Sequence, residues 1–401
     1  MRHEISSDDE WSGLLARIGT AEALDASAGA CGALTRRRGV RDGASLLRLG
    51  LGYGPGGMSL REVSAWARIQ GIAEVSDVAL LKRLRRASDW FGTLAGQVLS
   101  SRAEAEDIGP RPLRLVDGTV LTAPGNRGAD WRLHMGYDPR GCRFTDFELT
   151  DGKGAERLDR FVARADEIRI ADRGFGSRPE SLRALAEGPG DYLVRVHWRG
   201  LHWLDANGAR FDVMAFLRGL GEAESGEARI LIGRGKDRAW EPFAARLIAL
   251  RLPADKIQAA RHRIGKENRR KSRQVQPETL EAASHVLLLT SLDPQDYPAA
   301  RIGALYRLRW QVELAFKRLK SLLNLDALRA KDPDLARTWI YANLLAAFLI
   351  DDMIRPAPDS PPESAAAADS VADPPRRHPH SGVSTRWSSA SCALPSLARF
   401  H

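Results

Sequence analysis

Residues Leu113 to Thr122 read LRLVDGTVLT, and this stretch decides the fold. Aliphatic side chains on both sides of Asp117 are typical of a buried β-strand. Two similar runs follow after Gly- and Pro-containing turns, Asp130 to Asp138 and Arg143 to Leu149. We therefore predict three consecutive strands. A carboxylate inside such a strand is costly to bury unless it is paired or bound to a cation, so Asp117 is a candidate site residue.

Downstream of these runs the chain alternates between helix and strand. We predict a helix around Leu158 to Ala165, and then a fourth strand, Glu167 to Ala171, that runs directly into Asp172. A helix at Pro179 to Glu187 and a strand at Tyr192 to His197 follow. Three adjacent strands followed by this alternation predict a mixed α/β sheet with helices packed on it. The order is that of a ribonuclease-H-like fold, although other α/β arrangements fit the same pattern.

The alternation is interrupted at about residues 199–283, which contain short strands and the basic run Arg261 to Arg273. It resumes with the buried strand His285 to Thr290. We therefore predict a helical domain at 1–108 and a catalytic domain at 109–354 that holds a β-rich insertion at about 199–283. The stretch 355–401 is rich in Pro, Ser and Ala, which predicts a disordered tail. Its abrupt change of composition also suggests out-of-frame translation.

Two neighbouring helices are predicted within the N-terminal region. Ser59 to Ala67 is amphipathic, and the next helix begins behind an N-cap at Ser76 and runs through Val78 to Phe91. That second helix carries the basic residues Lys82, Arg83, Arg85 and Arg86. A helix, a short Gly-containing turn and a basic helix are consistent with a helix-turn-helix that reads DNA. An ordinary helical hairpin with a solvated basic face fits the same residues.

The composition favours a polyanionic partner in a reducing compartment. The formal net charge is +9 and the pI is about 9.7, which favours nucleic acid as a partner. A GC-rich genome that favours Arg codons would produce a similar balance. The three cysteines, Cys31, Cys142 and Cys392, match no zinc spacing. Because no signal peptide or membrane-spanning run is apparent, we expect a cytoplasmic protein with no membrane partner.

The stretch Tyr306 to Lys320, YRLRWQVELAFKRLK, aligns several polar side chains. In one continuous α-helix, which advances about 100° per residue, its apolar residues cover one side and a narrow polar face covers the other. The residues on that polar face are Tyr306, Arg309, Glu313 and Lys320. Such a helix presents one carboxylate that is flanked by two cations and a phenol.

Asp172 follows the fourth strand in the sequence ADRGFGS. Ligands of open α/β sheets gather at the ends of strands, so Asp117 and Asp172 converge if their strands are neighbours. Glu313 can then complete a cluster of three carboxylates. Oxygen ligands without Cys or His select Mg²⁺ or Mn²⁺, and two such ions suit phosphodiester chemistry. Taken singly, each aspartate also fits a turn or cap role.

Together these elements resemble the DDE transposases of bacterial insertion sequences, of the IS-four type. The pattern Y-x2-R-x3-E-x6-K of that group is matched by Tyr306, Arg309, Glu313 and Lys320. Its Asp-Gly-Thr block is matched by Asp117-Gly118-Thr119, and its Asp-Arg-Gly-aromatic block by Asp172-Arg173-Gly174-Phe175. The resemblance covers roughly residues 30–350.

The resemblance implies a ribonuclease-H-like core with a β-rich insertion, and an N-terminal region that binds the terminal inverted repeats. It implies that Asp117, Asp172 and Glu313 are catalytic and hold two Mg²⁺ or Mn²⁺ ions. It further implies that such an enzyme nicks the element's ends and joins the freed 3′-hydroxyl to target DNA, as a homodimer in a synaptic complex. The residues expected to contact double-stranded DNA are Tyr306, Arg309, Lys320, Arg173, Lys82, Arg83, Arg85, Arg86, Arg269, Arg270 and Lys271.

One departure leaves the presence of a hairpin intermediate open. Hairpin-forming relatives often carry a tryptophan where this chain has His285 and Val286, although Trp198, Trp203 or Trp240 could substitute for it. Two other functions fit the same residues. One is a structure-specific nuclease that cleaves without joining, and the other is an inactive or truncated transposase-derived protein that only binds DNA.

Overall fold

The computed structural model describes residues 7–100, 111–126, 128–141, 143–233, 240–272, 274–323 and 328–354. The predicted tail at 355–401 and residues 101–108 lie outside the described residues. The helices are α1 (Ser7–Ile18), α2 (Ala21–Ala30), α3 (Gly43–Tyr53), α4 (Leu60–Ile69), α5 (Asp77–Arg86), α6 (Ser88–Ser100), α7 (Pro179–Ala186), α8 (Val213–Leu220), α9 (Ala254–Arg270), α10 (Pro277–Ala282), α11 (Ala299–Arg307), α12 (Trp310–Leu323) and α13 (Pro333–Ile354). The strands are β1 (Leu113–Leu121), β2 (Trp131–Asp138), β3 (Arg143–Asp151), β4 (Ile168–Ala171), β5 (Asp191–Arg195), β6 (His202–Leu204), β7 (Ser225–Gly233), β8 (Phe243–Arg251) and β9 (His285–Thr290).

The strands form one nine-stranded mixed sheet in the order β3-β2-β1-β4-β5-β9-β8-β7-β6. β1 is antiparallel to β2 and parallel to β4, and β4 is parallel to β5. The remaining strands pair antiparallel. In the β1–β4 ladder, Val116 pairs with Ala171, so the next residues, Asp117 and Asp172, reach the same level of the sheet. The strands that carry Asp117 and Asp172 are therefore adjacent, as their predicted convergence requires.

The residues predicted to form an insertion lie between β5 and β9 in the chain and extend the same sheet. β9 pairs with β5 along one edge and with β8 along the other. β7 and β6 then continue outward from β8. Hydrogen bonding is therefore unbroken from the first five strands to the edge strand β6.

Apolar layers cover both faces of the sheet. Alternate residues of a strand point to opposite faces, so Leu115 and Val116 belong to different layers. The first layer joins Leu115 to helices α3, α6, α12 and α13, and it contains Trp90 and Trp339. The second layer joins Val116 to α7 and α8. Within the described ranges, no helix is long and apolar enough to cross a membrane.

The N-terminal helices begin at side-chain caps. Ser59 Oγ accepts a hydrogen bond from the Glu62 backbone N–H at 3.3 Å, and Glu62 Oε2 accepts one from the Ser59 N–H at 2.6 Å. This reciprocal pair is a capping box. The predicted N-cap at Ser76 is confirmed, because its hydroxyl oxygen accepts from Ala79 N at 3.2 Å. The predicted long helix that follows is divided, since α5 ends at Arg86 and α6 begins at Ser88.

The helix predicted around Leu158 to Ala165 is wrong, since only a 3₁₀ turn at Leu158–Arg160 forms there. The buried Arg169 guanidinium donates to the Leu158 carbonyl and, at 2.7 Å, to the Val162 carbonyl. Arg114 also donates to the Val162 carbonyl, at 3.1 Å. These carbonyls are therefore satisfied by arginine, and a helix is not needed to pair them. The Glu167 carboxylate lies between the two guanidinium groups, 2.9 Å from Arg114 and 2.6 Å from Arg169.

The predicted single helix over Tyr306 to Lys320 is also wrong. Helix α11 ends at Arg307, α12 begins at Trp310, and Leu308 and Arg309 form a turn between them. Arg309 N donates to the Tyr306 carbonyl at 3.1 Å, and Val312 N donates to the Arg309 carbonyl at 3.3 Å. These three-residue hydrogen bonds are tighter than α-helical ones, and they separate α11 from α12.

Candidate active site

Asp117 is a largely buried carboxylate on the sheet. Its Oδ1 accepts a hydrogen bond from the Gly118 backbone N–H at 2.8 Å. Burial raises the pKa of Asp117 to about 6; the Gly118 N–H and the Arg309 charge oppose the rise, and Glu313 and Glu156 add to it. No cationic side chain among the described residues bonds it directly. Asp117 therefore lies near other carboxylates, and within the described ranges no protein cation bonded to it neutralises its charge.

Asp172 lies directly after β4 and is held by a phenol. The Tyr306 hydroxyl donates to Asp172 Oδ1 at 3.2 Å. Burial, and then the Asp172 charge, raise the pKa of Tyr306 above its ordinary value, while Arg309 and Arg195 oppose the rise. Tyr306 is thus a neutral hydrogen-bond donor at physiological pH, and it fixes one oxygen of Asp172.

Glu313 lies in the first turn of α12 and is paired with Arg309. The distance from Arg309 Nη1 to Glu313 Oε1 is 2.7 Å. Burial lowers the pKa of Arg309, but the Glu313 hydrogen bond and the nearby Tyr306 and Asp172 groups outweigh it, so the pKa is raised overall. The guanidinium lies 5.8 Å from the centre of the Tyr306 ring. Tyr306, Arg309 and Glu313 therefore meet in spite of the break between the helices.

The acidic side chains that the structure describes are of the type that binds divalent cations, but they are not arranged around a single metal position. Among the described residues, no three His, Cys, Asp or Glu side chains are close enough to hold one metal ion together. Glu313 is bonded to Arg309, and Asp172 is bonded to Tyr306. The donors are all carboxylate oxygens around a buried acid, which is the chemistry that Mg²⁺ or Mn²⁺ prefers. The metal triad remains a prediction.

Two residues near this site were not predicted from the sequence. Arg195 ends β5, and its charge acts on the Tyr306 phenol. It could have been found, because charged residues at strand ends are site candidates in α/β sheets. Glu156 lies in the loop after β3, and its charge acts on Asp117. Nothing in the local sequence distinguishes it from the other acids of that loop.

The other predicted DNA contacts are distributed over several elements. Lys320 is partly buried, seven residues after Glu313 on α12, and Arg173 is exposed beside Asp172. Arg269 and Arg270 end α9, Lys271 is its C-cap, and the helix has no buried residue. The pKa of Glu267 is lowered mainly by its hydrogen bond with Lys271, and the Arg173 charge contributes. The basic end of α9 is therefore close to the turn that carries Asp172.

The basic residues of α5 differ in whether they are free to contact DNA. Lys82 and Arg86 are exposed. Arg83 donates to the Arg38 carbonyl at 2.8 Å, and Arg85 pairs with Asp332 at 3.1 Å. Two of the four predicted DNA contacts on this helix are therefore bonded within the protein.

The three candidate tryptophans have different surroundings. Trp203 is a core residue with 6% exposure, and its Nε1 donates to the Trp198 carbonyl at 2.8 Å. Trp240 lies beneath Arg183, 5.7 Å from the guanidinium carbon. Trp198 follows β5, with the Arg199 guanidinium carbon 4.1 Å from its ring centre. Trp198 is adjacent to His197, whose pKa is lowered by burial and by the Arg173 and Arg199 charges.

Comparison with known proteins identifies the family. The family described as "Transposase DDE domain" matches residues 108–349, more than half of the chain. The chain belongs to the DDE transposase family. This transposase-family chain is 64% identical over 361 residues to "Putative transposase InsL for insertion sequence element IS186A" of Escherichia coli (strain K12), covering 90% of this chain and 98% of that protein. The resemblance inferred from the sequence motifs is confirmed.

Other relatives extend the comparison. The chain is 64% identical over 362 residues to "Transposase for insertion sequence element IS421" of Escherichia coli, covering 90% of this chain and 98% of that protein. It is 24% identical over 270 residues to "Transposase for insertion sequence element IS231F" of Bacillus thuringiensis subsp. israelensis, covering 59% of this chain and 55% of that protein. Among solved structures, a piggyBac transposase synaptic complex with hairpin DNA is similar, with a TM-score of 0.46 and 10% identity over 87% of this chain and 75% of that chain.

Proposed function

We propose that this protein is a DNA transposase that nicks the ends of an insertion sequence and joins the freed 3′-hydroxyl to target DNA. The observation that carries the proposal is the β1–β4 register, which brings Asp117 level with Asp172. The turn before α12 then adds Arg309 and Glu313 to the same site. Membership of the DDE transposase family supports the assignment.

On this proposal the catalytic core is ribonuclease-H-like. Its first five strands follow the order β3-β2-β1-β4-β5, with β1, β4 and β5 parallel. The catalytic domain spans 109–354, with the segment 199–283 as its β-rich insertion. Residues 1–108 form the DNA-binding domain, in which Lys82 and Arg86 are the exposed cations of the basic helix.

Asp117, Asp172 and Glu313 would hold two Mg²⁺ or Mn²⁺ ions. Bound ions of this kind supply Lewis-acid activation of the attacking oxygen and stabilise the leaving oxygen. Tyr306 orients Asp172 by donating to one of its oxygens, which leaves the other oxygen available as a ligand. Arg309 exchanges its bond with Glu313 for a bond with a DNA phosphate, and this exchange frees Glu313.

The DNA partner is double-stranded, as terminal inverted repeats and as target. Arg173, next to Asp172 in the chain, and Lys320, seven residues after Glu313 on α12, would contact its phosphates. Arg269, Arg270 and Lys271 at the end of α9 would add further positive charge. We propose a homodimer as the synaptic form, acting in the cytoplasm on the chromosome or on plasmids.

The test is substitution of each acid by its isosteric amide. Asp117→Asn, Asp172→Asn and Glu313→Gln are each expected to lower Mg²⁺-dependent nicking of the DNA that borders the gene by at least about 1000-fold, while DNA binding is retained. Glu224→Gln, an exposed acid in the loop before β7, is the matched control and should nick normally. Full nicking by any of the three variants would overturn the site assignment. Cleavage without joining to a target would identify a nuclease instead.

A further inference from the structure

A polar cleft lies next to the carboxylates. Its volume is about 320 Å³. Its walls come from β2, from the loop after β3 and from the turn after β4. The lining residues are Arg132, Lys153, Gly154, Ala155, Glu156, Gly174, Ser177 and Arg178. We call this site the Arg132 cleft.

Glu156 connects the Arg132 cleft to the catalytic carboxylates. It lines the cleft, and its charge raises the pKa of Asp117. Gly174, two residues after Asp172, makes this approach possible, because a Cβ at that position would lie 1.8 Å from Glu156 Oε2. The cleft and the reacting centre are therefore neighbouring parts of one surface.

The charges of the Arg132 cleft suit an anion. Arg132, Lys153 and Arg178 carry three positive charges against the single carboxylate of Glu156, which leaves two in excess. Lys153 and Arg178 are exposed, and neither forms an ion pair with another described residue. The contact between Arg132 Nη1 and Glu156 Oε1 is long, at 3.4 Å. Arg132 Nε is buried without a hydrogen-bond partner among the described residues, so this side chain has unused donor capacity.

We propose that the Arg132 cleft binds a backbone phosphate of the DNA next to the phosphodiester that reacts. This inference rests on the proposed function, because it requires a DNA strand at Asp117 and Asp172. Arginine and lysine are the usual phosphate ligands, and a guanidinium can bind two phosphate oxygens at once. Glu156 pairs with Arg132 until a DNA phosphate takes the place of the carboxylate. Because the two anions compete for Arg132, a phosphate occupies the cleft only when the DNA is correctly placed.

The experiment compares the salt dependence of DNA binding. The probe is a fluorescent duplex containing the DNA that borders the gene, titrated with the full-length protein at several salt concentrations. Lys153→Ala/Arg178→Ala is expected to reduce the slope of log affinity against log salt by about 1, the value for one lost phosphate contact. Glu156→Gln is expected to have the opposite effect, several-fold tighter binding, because it removes the competing carboxylate.

The matched control is Arg210→Ala/Arg229→Ala, which removes the same charge from exposed residues near β6 and β7 at the far end of the sheet. Its salt slope should equal that of the wild type. Equal slopes for Lys153→Ala/Arg178→Ala and the wild type, or equal losses in both double variants, would overturn the proposal for the cleft. The proposed function fails separately, if the wild-type protein neither binds nor nicks this DNA.

A chemical probe locates the phosphate. Single phosphates of the duplex near the nicking site are replaced, one at a time, by neutral methylphosphonates. DNA binding is then measured for the wild type and for Lys153→Ala/Arg178→Ala. At one position the substitution should weaken binding by the wild type and have no further effect on Lys153→Ala/Arg178→Ala. Equal weakening of both proteins at every position would also contradict the proposal. Circular dichroism of each variant verifies that it is folded.

Discussion

Tyr306 and Arg309 determine how two of the acids are held. The phenol donates to Asp172, and the guanidinium bonds Glu313 and lies beside the phenol ring. Because Tyr306 remains neutral, its contribution to Asp172 is a directional hydrogen bond and not a charge. The two residues therefore have separable effects on the site, and each effect can be measured.

Tyr306→Phe removes only the hydroxyl that Asp172 accepts. We expect the nicking rate to fall about 10-fold, which corresponds to the ~1.4 kcal/mol of one hydrogen bond to a charged group. DNA affinity should stay close to that of the wild type. Tyr297→Phe, in a tyrosine outside the site, is the control and should nick at the wild-type rate. An unchanged nicking rate in Tyr306→Phe would show that the hydroxyl does not orient Asp172.

His134 makes stability depend on pH. It is fully buried on β2, with Nε2 3.2 Å from Thr150 Oγ1, and burial together with the Arg160 and Arg132 charges lowers its pKa to about 4. The unfolded chain binds this proton near a pKa of 6.5. Its contribution to stability is therefore complete above pH 6.5 and is lost as the pH falls from 6.5 towards 4.

Urea unfolding at a series of pH values measures this contribution. In His134→Gln the free energy of unfolding should vary less between pH 6.5 and 4 than in the wild type. His262→Gln, in an exposed histidine of α9, is the control and should keep the wild-type dependence. Identical pH dependence in His134→Gln and the wild type would assign the effect to other groups.

At the scale of elements, short polar contacts decide where helices begin and end. The capping box of Ser59 and Glu62 fixes the start of α4, and three-residue hydrogen bonds at Leu308 and Arg309 separate α11 from α12. The second of these separates the helix that carries Tyr306, which donates to Asp172, from the helix that carries Glu313. The boundaries of these helices are therefore part of the site's construction.

Ser59→Ala removes the hydroxyl that accepts from Glu62 N. We expect the free energy of unfolding to fall by about 1 kcal/mol, the usual cost of losing an N-cap. Denaturant unfolding followed by circular dichroism measures the change. Ser225→Ala, in an exposed serine of β7, is the matched control and should change stability by less than about 0.5 kcal/mol. Equal stability of the two variants would show that the cap contributes nothing measurable.

At the scale of the whole molecule, α13 joins the N-terminal helices to the sheet. The Thr338 hydroxyl donates to the Leu84 carbonyl at 2.6 Å, and Arg337 pairs with Asp89 at 2.8 Å. Trp339 of α13, Trp90 of α6 and the β1 side chains share one apolar layer. The N-terminal helices are therefore held in a defined position relative to the carboxylates.

Trp339→Ala tests this coupling. Its side chain is 2% exposed, so we expect a loss of about 3–5 kcal/mol in the free energy of unfolding. Because the layer is shared, probes on the N-terminal helices and on the sheet should report one transition with the same lowered midpoint. Trp310→Ala, in a tryptophan that is 54% exposed, should cost far less. Two separate unfolding transitions in Trp339→Ala would show that the N-terminal helices and the sheet are stabilised independently.

The sequence by itself determined the local elements and the identity of the acids. The predicted strands coincide with β1 to β5 within about two residues at either end, because alternating apolar residues and turns are encoded by neighbours along the chain. Asp117, Asp172 and Glu313 were selected by motif and position. Where local patterns failed, at residues 158–165 and at the α11–α12 turn, the cause was a contact or hydrogen bond that helical periodicity does not encode.

Only the tertiary structure decided which partners the acids have. Tyr306 reaches Asp172 across 134 residues of chain. Glu156 reaches Gly174 because β3 and β4 run in the same direction, so the loops that follow them leave the same edge of the sheet. Such pairs depend on strand order, register and the direction of a turn, and no single segment specifies these. The sequence therefore specifies the candidate acids, whereas the hydrogen bonds, ion pairs and raised pKa values around them arise when the sheet assembles.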